Sequence, residues 1–304
     1  MTEDIMKTRE DRVFQITGSV IMIIMTLLAL VPIALMMISS LTDNDVLLQN
    51  GYSFFPAKWS AYAYTWIFQS NGSTILRAYG MSFVVTILGT LCSLFLTTTL
   101  AYGISRKGLP GRGVITFLIF FTMLFSGGLV PTYINYTTVF HVKDTIMGLL
   151  VPGLMMNAFN VLLMKSYFTA SVPDEILEAA YIDGAGEIRT MCSVALPLAK
   201  PIIATVAMFS GLGYWNDWNN GYIYIVKHTE LFTIQNLLNR LMQNIQALAQ
   251  NSSNISSAQQ GLSQIPSTTV RMAMATLGIL PVIIVYPFIQ KNFVKGITLG
   301  GVKG

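Results

Sequence analysis

Charged side chains are scarce in this chain of 304 residues: only 11% are Asp, Glu, Lys or Arg, whereas 53% are hydrophobic. Soluble domains carry roughly 25% charged residues. A chain so poor in charge cannot cover a surface that faces water, and its mean hydropathy of +0.59 agrees with this conclusion. We therefore expect most of the chain to face lipid or protein, and we divide its length into membrane spans of about 20 apolar residues.

Metal-ligand and catalytic patterns are also missing. The two cysteines, Cys92 and Cys192, form no disulfide framework, and the two histidines, His141 and His228, have no partner at ligand spacing. No Ser-His-Asp, His-Glu or paired-carboxylate pattern lies at membrane depth, which argues against a membrane-embedded enzyme. The net charge of +4 comes from basic residues in short loops beside apolar runs, so it predicts membrane topology rather than nucleic-acid binding.

Long intervals without any charge define six candidate transmembrane helices. The first interval lies between Arg12 and Asp43; it is too long for the core of a signal peptide, and no cleavage pattern follows it. We therefore predict an all-α integral membrane protein with a single transmembrane domain over 1–304. The predicted spans cover residues 14–41, 78–104, 114–136, 145–164, 196–216 and 272–290.

Lysine and arginine predict the orientation of these spans, because cytoplasmic loops are enriched in both. With the N-terminus inside, twelve of the 18 basic residues, including Lys7 and Lys303, fall in inner segments, and six fall in outer segments. Both termini are therefore predicted to be cytoplasmic. In this orientation 166–200 is a cytoplasmic loop and 217–271 is an extracellular loop, whose polar stretch 243–269 favours a mobile surface segment.

The apolar spans carry no ionisable residue at their centres, although transporters driven by protons or sodium usually place ligands for the coupling ion there. The chain also lacks the G-x-x-x-x-G-K-[ST] loop that binds nucleotide phosphates. If the protein transports a solute, its energy must therefore come from a partner.

The 166–200 loop has the pattern of two short helices joined by a turn. Ser171 is predicted to cap the first helix, with Pro173 in its first turn, and the helix is expected to stop near Gly184 or Gly186. A second helix over 187–195 would be ended by Pro197. Small residues between the two helices would let a partner surface approach closely, although an amphipathic loop packed on its own helices would show the same pattern.

The spacing within this loop resembles a known signature. Glu178-Ala179-Ala180, Asp183-Gly184-Ala185 and Leu196-Pro197, with Pro201, resemble the EAA motif of the permease subunits of bacterial ABC importers. Met191 and Val194 are mild departures from that motif. The residues that the resemblance assigns to coupling with an ATPase are Glu178, Ala179, Ala180, Asp183, Gly184, Ala185, Leu196 and Pro197.

The resemblance extends over nearly the whole chain. Segments 125–133, 152–153, 157–165 and 215–218 look like the carbohydrate branch of these permeases, and the subgroup that handles oligosaccharides or polysaccharide fragments is the most similar. The tail 295–304 resembles the end of the second permease subunit in maltose-type importers. The resemblance therefore implies a type I ABC importer permease fold with cytoplasmic coupling helices.

The same resemblance implies the partners. A second, homologous permease would complete the pore, two ATPase subunits would bind ATP and magnesium, and an extracellular binding protein would deliver the carbohydrate. The chain itself would bind no cofactor and catalyse no reaction. A stand-alone secondary transporter or channel is the main alternative, but it would leave the EAA loop unexplained.

Side chains at the ends of spans three and five, and two amides within span four, are candidates for the sugar pathway, because sugars are bound by aromatic faces and by amide and hydroxyl groups. The same residue types also anchor helices at the membrane interface or bond a neighbouring helix. Both roles stay open for the candidates, which are Tyr133, Tyr136, Asn157, Asn160, Trp215, Asn216 and Trp218.

Overall fold

The computed structural model describes residues 9–251 and 267–301, and this part of the chain is almost entirely helical. It contains no strand beyond one isolated bridge between Thr42 and Trp59, so the all-α class is confirmed for the described residues. The helices are α1 (Arg9–Ser40), α2 (Asn44–Asn50), α3 (Tyr62–Ser105), α4 (Arg112–Leu124), α5 (Leu129–Ile134), α6 (Met147–Leu150), α7 (Ala158–Ser171), α8 (Asp174–Ile182), α9 (Glu187–Thr190), α10 (Leu196–Leu198), α11 (Lys200–Asn216), α12 (Asn219–Tyr224), α13 (Ile234–Asn251) and α14 (Ser267–Gly301).

Three of these helices are long and apolar enough to cross a membrane. The qualifying stretches are Val13–Ser40 in α1, Gly72–Ser105 in α3 and Thr268–Pro287 in α14. They coincide with the first, second and sixth predicted spans. A continuous helix satisfies every backbone hydrogen bond within itself, which is the requirement for a segment surrounded by lipid.

Two further candidate spans are bent. The axis bends by 118° between Arg112–Leu124 and Leu129–Val139, and by 83° between Glu187–Leu198 and Lys200–Asn216. The first bend lies at Gly128, whose φ of +83° is readily adopted only by glycine. The described residues therefore hold up to five spans if each bent pair counts as one.

The predicted fourth span, 145–164, is not one continuous helix. It contains α6, then an irregular stretch that includes Pro152 and Gly153, and then the start of α7. Gly153 has a φ of +71°, and proline cannot donate a helical hydrogen bond, so the two residues together interrupt the helix. The count of six spans stays a prediction.

The chain forms two compact units. The first comprises Met1–Asn71 and Met242–Ile279, and the second comprises Gly72–Leu241 and Leu280–Gly304. In the first unit, the Asp43 carboxylate pairs with the Lys58 ammonium at 2.7 Å, and the Tyr64 hydroxyl lies 2.8 Å from the Ser40 hydroxyl. These contacts order the segment between α1 and α3.

The second unit contains a hydrophobic core where α3, α7, α8 and α11 meet. It is built from the ends of long helices and from the 166–200 loop, so the loop is part of the core rather than an appendage. The buried members include Ala101, Ile104, Val161, Met164, Phe168, Leu177, Ala195 and Val206.

The predicted extracellular loop, 217–271, contains more regular structure than expected. It includes α12, a short 3-10 helix over Thr229–Leu231 and α13. Because α13 buries Ile234, Leu237 and Leu238, its first part is anchored by apolar packing. Part of the predicted mobile stretch, 252–266, lies outside the described residues, as do Lys7 and Lys303.

Candidate functional site

The first helix of the 166–200 loop, α8, begins without the predicted serine cap. Ser171 is the last residue of α7, and Pro173 occupies the N-cap position of α8. Proline fixes the backbone φ and has no amide hydrogen of its own to satisfy, and no side chain caps the amides of the first turn of α8. Asp174 and Glu175 lie in the first turn, as predicted, where the helix dipole favours carboxylates.

The end of α8 follows the prediction closely. Gly184 has a φ of +81°, its amide donates to the Tyr181 carbonyl at 2.9 Å, and the Ala185 amide donates to the Ala180 carbonyl at 2.9 Å. These two hydrogen bonds form a Schellman motif, which ends a helix at a glycine in the left-handed conformation. The Asp183-Gly184-Ala185 segment therefore serves the turn.

The second helical stretch of the loop continues further than predicted. It comprises α9, a π turn over Met191–Ala195, and α10. Pro197 does not end it, because this residue lies in the first turn of α10, where a proline ring is tolerated. The break comes at Ala199, just before Lys200 and Pro201 begin α11.

The loop buries one face and exposes another. Leu177 is buried in the core of the second unit, whereas Glu178 is exposed one position later. Ile182 and Ile188 are 86% and 76% exposed, respectively. Of the other predicted coupling residues, Ala179, Asp183, Gly184 and Pro197 are exposed, and Ala180, Ala185 and Leu196 are half-buried.

Two basic residues directly after α3 face carboxylates of the loop. The Arg106 guanidinium lies 3.5 Å from an Asp174 carboxylate oxygen and 3.9 Å from a Glu187 carboxylate oxygen. The Lys107 ammonium lies 2.8 Å from the other Asp174 oxygen, and this contact lowers the pKa of Asp174 below its usual range. The Tyr181 hydroxyl donates to Glu187. Burial and that contact raise the pKa of Tyr181.

Sequence reasoning missed this cluster. Arg106 and Lys107 counted only as topology residues, and Asp174 counted only as a carboxylate at a helix start. The sequence did offer a signal. Two basic residues directly follow the second predicted span, and acidic residues begin both helices of the 166–200 loop. The pairing itself depends on the tertiary fold.

Tyr133 and Tyr136, two candidates for the sugar pathway, are brought together around a third tyrosine. The Tyr133 ring stacks on Tyr224 at 5.9 Å between centroids, and the Tyr136 ring meets Tyr224 edge-on at 6.2 Å. Tyr224 is buried, whereas Tyr133 and Tyr136 are half-buried. The buried Tyr224 ring therefore holds the partly exposed side chains of Tyr133 and Tyr136 in place.

The two amide candidates, Asn157 and Asn160, have different environments. The Asn157 side chain accepts from the Asn160 backbone amide at 3.2 Å and so caps α7. Asn160 is buried within α7. Because N-capping accounts for Asn157, this residue has a structural role independent of any sugar.

The candidates at the end of α11 are dispersed. Trp215 is buried against Phe83, with centroids 5.3 Å apart. Asn216 is exposed, and the exposed Trp218 packs edge-on against Tyr222 at 6.0 Å. Trp215 lines an apolar cavity of about 420 Å³, whose wall also includes Thr86, Met208, Gly211, Val282 and Tyr286.

A backbone lock orders the region around the tyrosine cluster. An Asp144 carboxylate oxygen accepts from the backbone amides of Val226 and Lys227, at 2.6 and 2.7 Å, and the Asp144 amide donates to the Tyr224 carbonyl at 2.9 Å. The Lys227 hydrogen bond, followed by that from Val226, lowers the pKa of Asp144. Asp144 has a φ of +56°, a conformation that aspartate tolerates better than most residues.

A family model of binding-protein-dependent transport system inner membrane components matches residues 12–299. The chain belongs to this family. Its members are transport permeases, so the family and the apolar helices together identify an integral membrane permease.

Two relatives from Bacillus subtilis (strain 168) match almost end to end. Protein LplC is 33% identical over 297 residues, covering 98% of this chain and 97% of that protein. The polygalacturonan/rhamnogalacturonan transport system permease protein YtcP is 32% identical over 295 residues, covering 97% and 100%. The chain therefore spans nearly the full length of LplC and the full length of YtcP.

A solved structure is also similar, namely that of a bacterial ABC transporter involved in the import of the acidic polysaccharide alginate. The TM-score is 0.77 with 30% identity, and the match covers 94% of this chain and 98% of that one. The fold of this permease is therefore the type I importer fold. Together the matches support a permease component of a carbohydrate ABC importer over a stand-alone transporter or channel.

Proposed function

We propose that this permease forms half of the pore of an ATP-driven importer in the bacterial plasma membrane, with both termini in the cytoplasm. It would take up oligosaccharides or polysaccharide fragments that an extracellular binding protein delivers. A second, different permease would form the other half of the pore. Two ATPase subunits would bind ATP and magnesium, and this chain would bind neither.

The proposal rests mainly on the 166–200 loop. One face of this loop packs into the hydrophobic core, and the opposite face is exposed. Leu177 anchors it in the core, and Ile182 and Ile188 are largely exposed to solvent. Large apolar side chains that stay exposed on a charged segment outside the long spanning helices favour a surface that a partner protein covers. An ATPase that covers these two side chains would contact a loop that is already packed against the spanning helices.

Glu178 is the charged contact that we assign to the ATPase. It is exposed on α8 between Leu177, which faces the core, and the small residue Ala179. A carboxylate in that position can accept hydrogen bonds from a basic or amide group of the partner, and the small neighbour lets the partner surface come close. Movement of the ATPase would then be passed to the spans as a rigid-body shift.

The sugar pathway is assigned to the tyrosine cluster. Tyr133 and Tyr136 combine exposed ring surface with hydroxyl groups, and Tyr224 with the Asp144 lock keeps them in place. Trp218 offers a further exposed ring. The names of the relatives favour oligosaccharides or polysaccharides as cargo, because they include permeases for polygalacturonan/rhamnogalacturonan, arabinooligosaccharides and maltodextrin.

Uptake in a deletion strain tests the source of energy. Cells that express this permease should take up labelled oligosaccharides when an ionophore collapses the proton gradient and ATP is maintained. They should lose uptake when ATP is depleted and the gradient is kept. The opposite pattern would favour an ion-coupled transporter and would contradict the proposed function.

A further inference from the structure

The last turn of the spanning helix α3 leads directly into two basic residues, Arg106 and Lys107. Both contact the 166–200 loop, but they differ in exposure. The side chain of Arg106 is 20% exposed, whereas that of Lys107 is 80% exposed. Exposed ion pairs contribute little, because water and salt screen them. The carboxylates that Arg106 faces, on Asp174 and Glu187, are 45% and 57% exposed. Arg106 is therefore distinguished by its own burial and by its reach to two helices, not by the strength of either ion pair.

Arg106 reaches the start of both helices of the loop. It pairs with Asp174, the first residue of α8, at 3.5 Å, and with Glu187, the first residue of α9, at 3.9 Å. The planar guanidinium carries several donors in a fixed arrangement, so one arginine can serve two carboxylates at once. A lysine, with one compact ammonium group, cannot span the two helices in the same way.

Two tyrosines complete the surroundings of Arg106. Its guanidinium carbon lies 5.9 Å from the ring centroid of Tyr102 and 6.0 Å from that of Tyr181, within the range of cation–π attraction. Tyr102 belongs to α3 and Tyr181 to α8. The Tyr181 hydroxyl also donates to Glu187, so this carboxylate is held from two sides.

We propose that Arg106 is a positioning residue that links α3 to the 166–200 loop, so that a displacement of α8 and α9 is passed to the membrane span. This inference rests on the proposed function, in which an ATPase displaces the loop. Two kinds of contact would transmit the movement. Polar contacts join the end of α3 to the first residues of α8 and α9, and the buried Leu177 side chain packs α8 into the apolar core.

Space beside the link allows such a movement. A cavity of about 570 Å³ lies next to Arg106 and Glu187, and its wall also includes Gly103, Leu109, Ile188 and Met191. On this side the link therefore borders open space and not packed side chains.

The test uses the complete importer reconstituted in proteoliposomes with its binding protein. The cargo is the labelled oligosaccharide that the wild type takes up best from a panel of galacturonan, arabinan and starch fragments. The measured quantity is sugar imported per ATP hydrolysed. Arg106→Gln should lower this ratio roughly 5- to 150-fold while ATP hydrolysis continues, the range typical of a coupling between two sites.

Lys107→Gln is the matched control, because it removes a neighbouring charge that shares Asp174, and it should leave the ratio within about twofold, as expected for an exposed pair. Glu187→Gln should reproduce part of the Arg106→Gln defect. The double variant should be no worse than Arg106→Gln alone, because both changes break one link. A purely structural role would instead reduce the amount of assembled complex without changing the ratio.

Several results would overturn the inference. These are a wild-type ratio in Arg106→Gln, an equal loss in Lys107→Gln, or additive losses in the double variant. If Arg106→Gln does not accumulate in the membrane, Glu187→Gln carries the test, and its wild-type ratio would also overturn the link. A wild-type complex that imports no sugar with ATP would contradict the proposed function itself. A wild-type complex that imports sugar, together with an unchanged ratio in Arg106→Gln, would contradict only the link.

Discussion

Gly89 in α3 lies directly against the ring of Tyr214 in α11. A Cβ atom on residue 89 would lie 2.5 Å from Cζ of that ring, which is closer than real Cβ contacts come. The ring cannot easily withdraw, because Tyr214 is buried and its hydroxyl donates to the Leu150 carbonyl at 2.8 Å. The missing side chain at Gly89 is therefore what allows α3 and α11 to pack at this point.

Gly89→Ala should destabilise the permease by about 1–3 kcal/mol, the usual cost of overpacking a filled core. Gly80→Ala is the control, because it lies on the same helix with open space at its Cβ position, and alanine favours a helix by about 1 kcal/mol over glycine. The measurement is the thermal unfolding midpoint of the purified chain in detergent. Equal midpoints for the two variants would contradict the packing described.

Glu178→Lys should uncouple transport without removing the permease from the membrane. Like charges brought together at an interface cost several kcal/mol, so we expect uptake to fall at least about tenfold. Glu175→Lys is the matched control, because Glu175 is an exposed carboxylate on the same helix but lies outside the EAA motif. Uptake and membrane level are measured together, and equal uptake by both variants would remove Glu178 from the ATPase contact.

Tyr133→Ala and Tyr136→Ala should each raise the KM of uptake roughly 2- to 10-fold, the loss expected when an aromatic contact is removed. Tyr62→Ala removes an exposed tyrosine outside the cluster and serves as the control. The phenylalanine variants separate the ring from the hydroxyl, because they keep stacking and lose only the hydrogen bond. An unchanged KM in both alanine variants would place the sugar pathway elsewhere.

Asp144→Asn should weaken the lock to Val226 and Lys227 by about 1 kcal/mol or less, since the carboxylate is only half-buried and solvent screens it. Asparagine keeps the shape and tolerates the left-handed backbone, so the change isolates the charge.

The lock should also depend on pH. Because the folded pKa of Asp144 lies below its ordinary value, its contribution to stability is full above the ordinary pKa of about 3.9 and is lost as the pH falls through the lowered value. Unfolding midpoints of the wild type and Asp144→Asn should therefore differ at pH 7 and converge in strong acid. A difference that persists unchanged in strong acid would be inconsistent with an ionic lock.

The sequence predicted the features that depend on local chemistry. Charge gaps located α1, α3 and α14, because a lipid-facing helix tolerates few charges along its length. The turn at Gly184 was predictable for a similar reason, since glycine adopts the left-handed conformation that ends a helix at the least cost.

Features that depend on backbone shape or on distant pairing were not predictable in this way. A charge gap reports polarity and not helicity, so it could not show that 145–164 is interrupted at Pro152 and Gly153. The partners of Arg106 lie 68 and 81 positions further along the chain, at Asp174 and Glu187, and only the folded core brings them together.

Affinity purification of the tagged chain from its native membrane in mild detergent tests directly whether this permease works as one subunit of an ATP-driven carbohydrate importer. We expect an ATPase and a second, homologous permease to be retained together, and Glu178→Lys to lower the amount of ATPase retained. Recovery of this chain alone, or as a complex only with copies of itself, would contradict it.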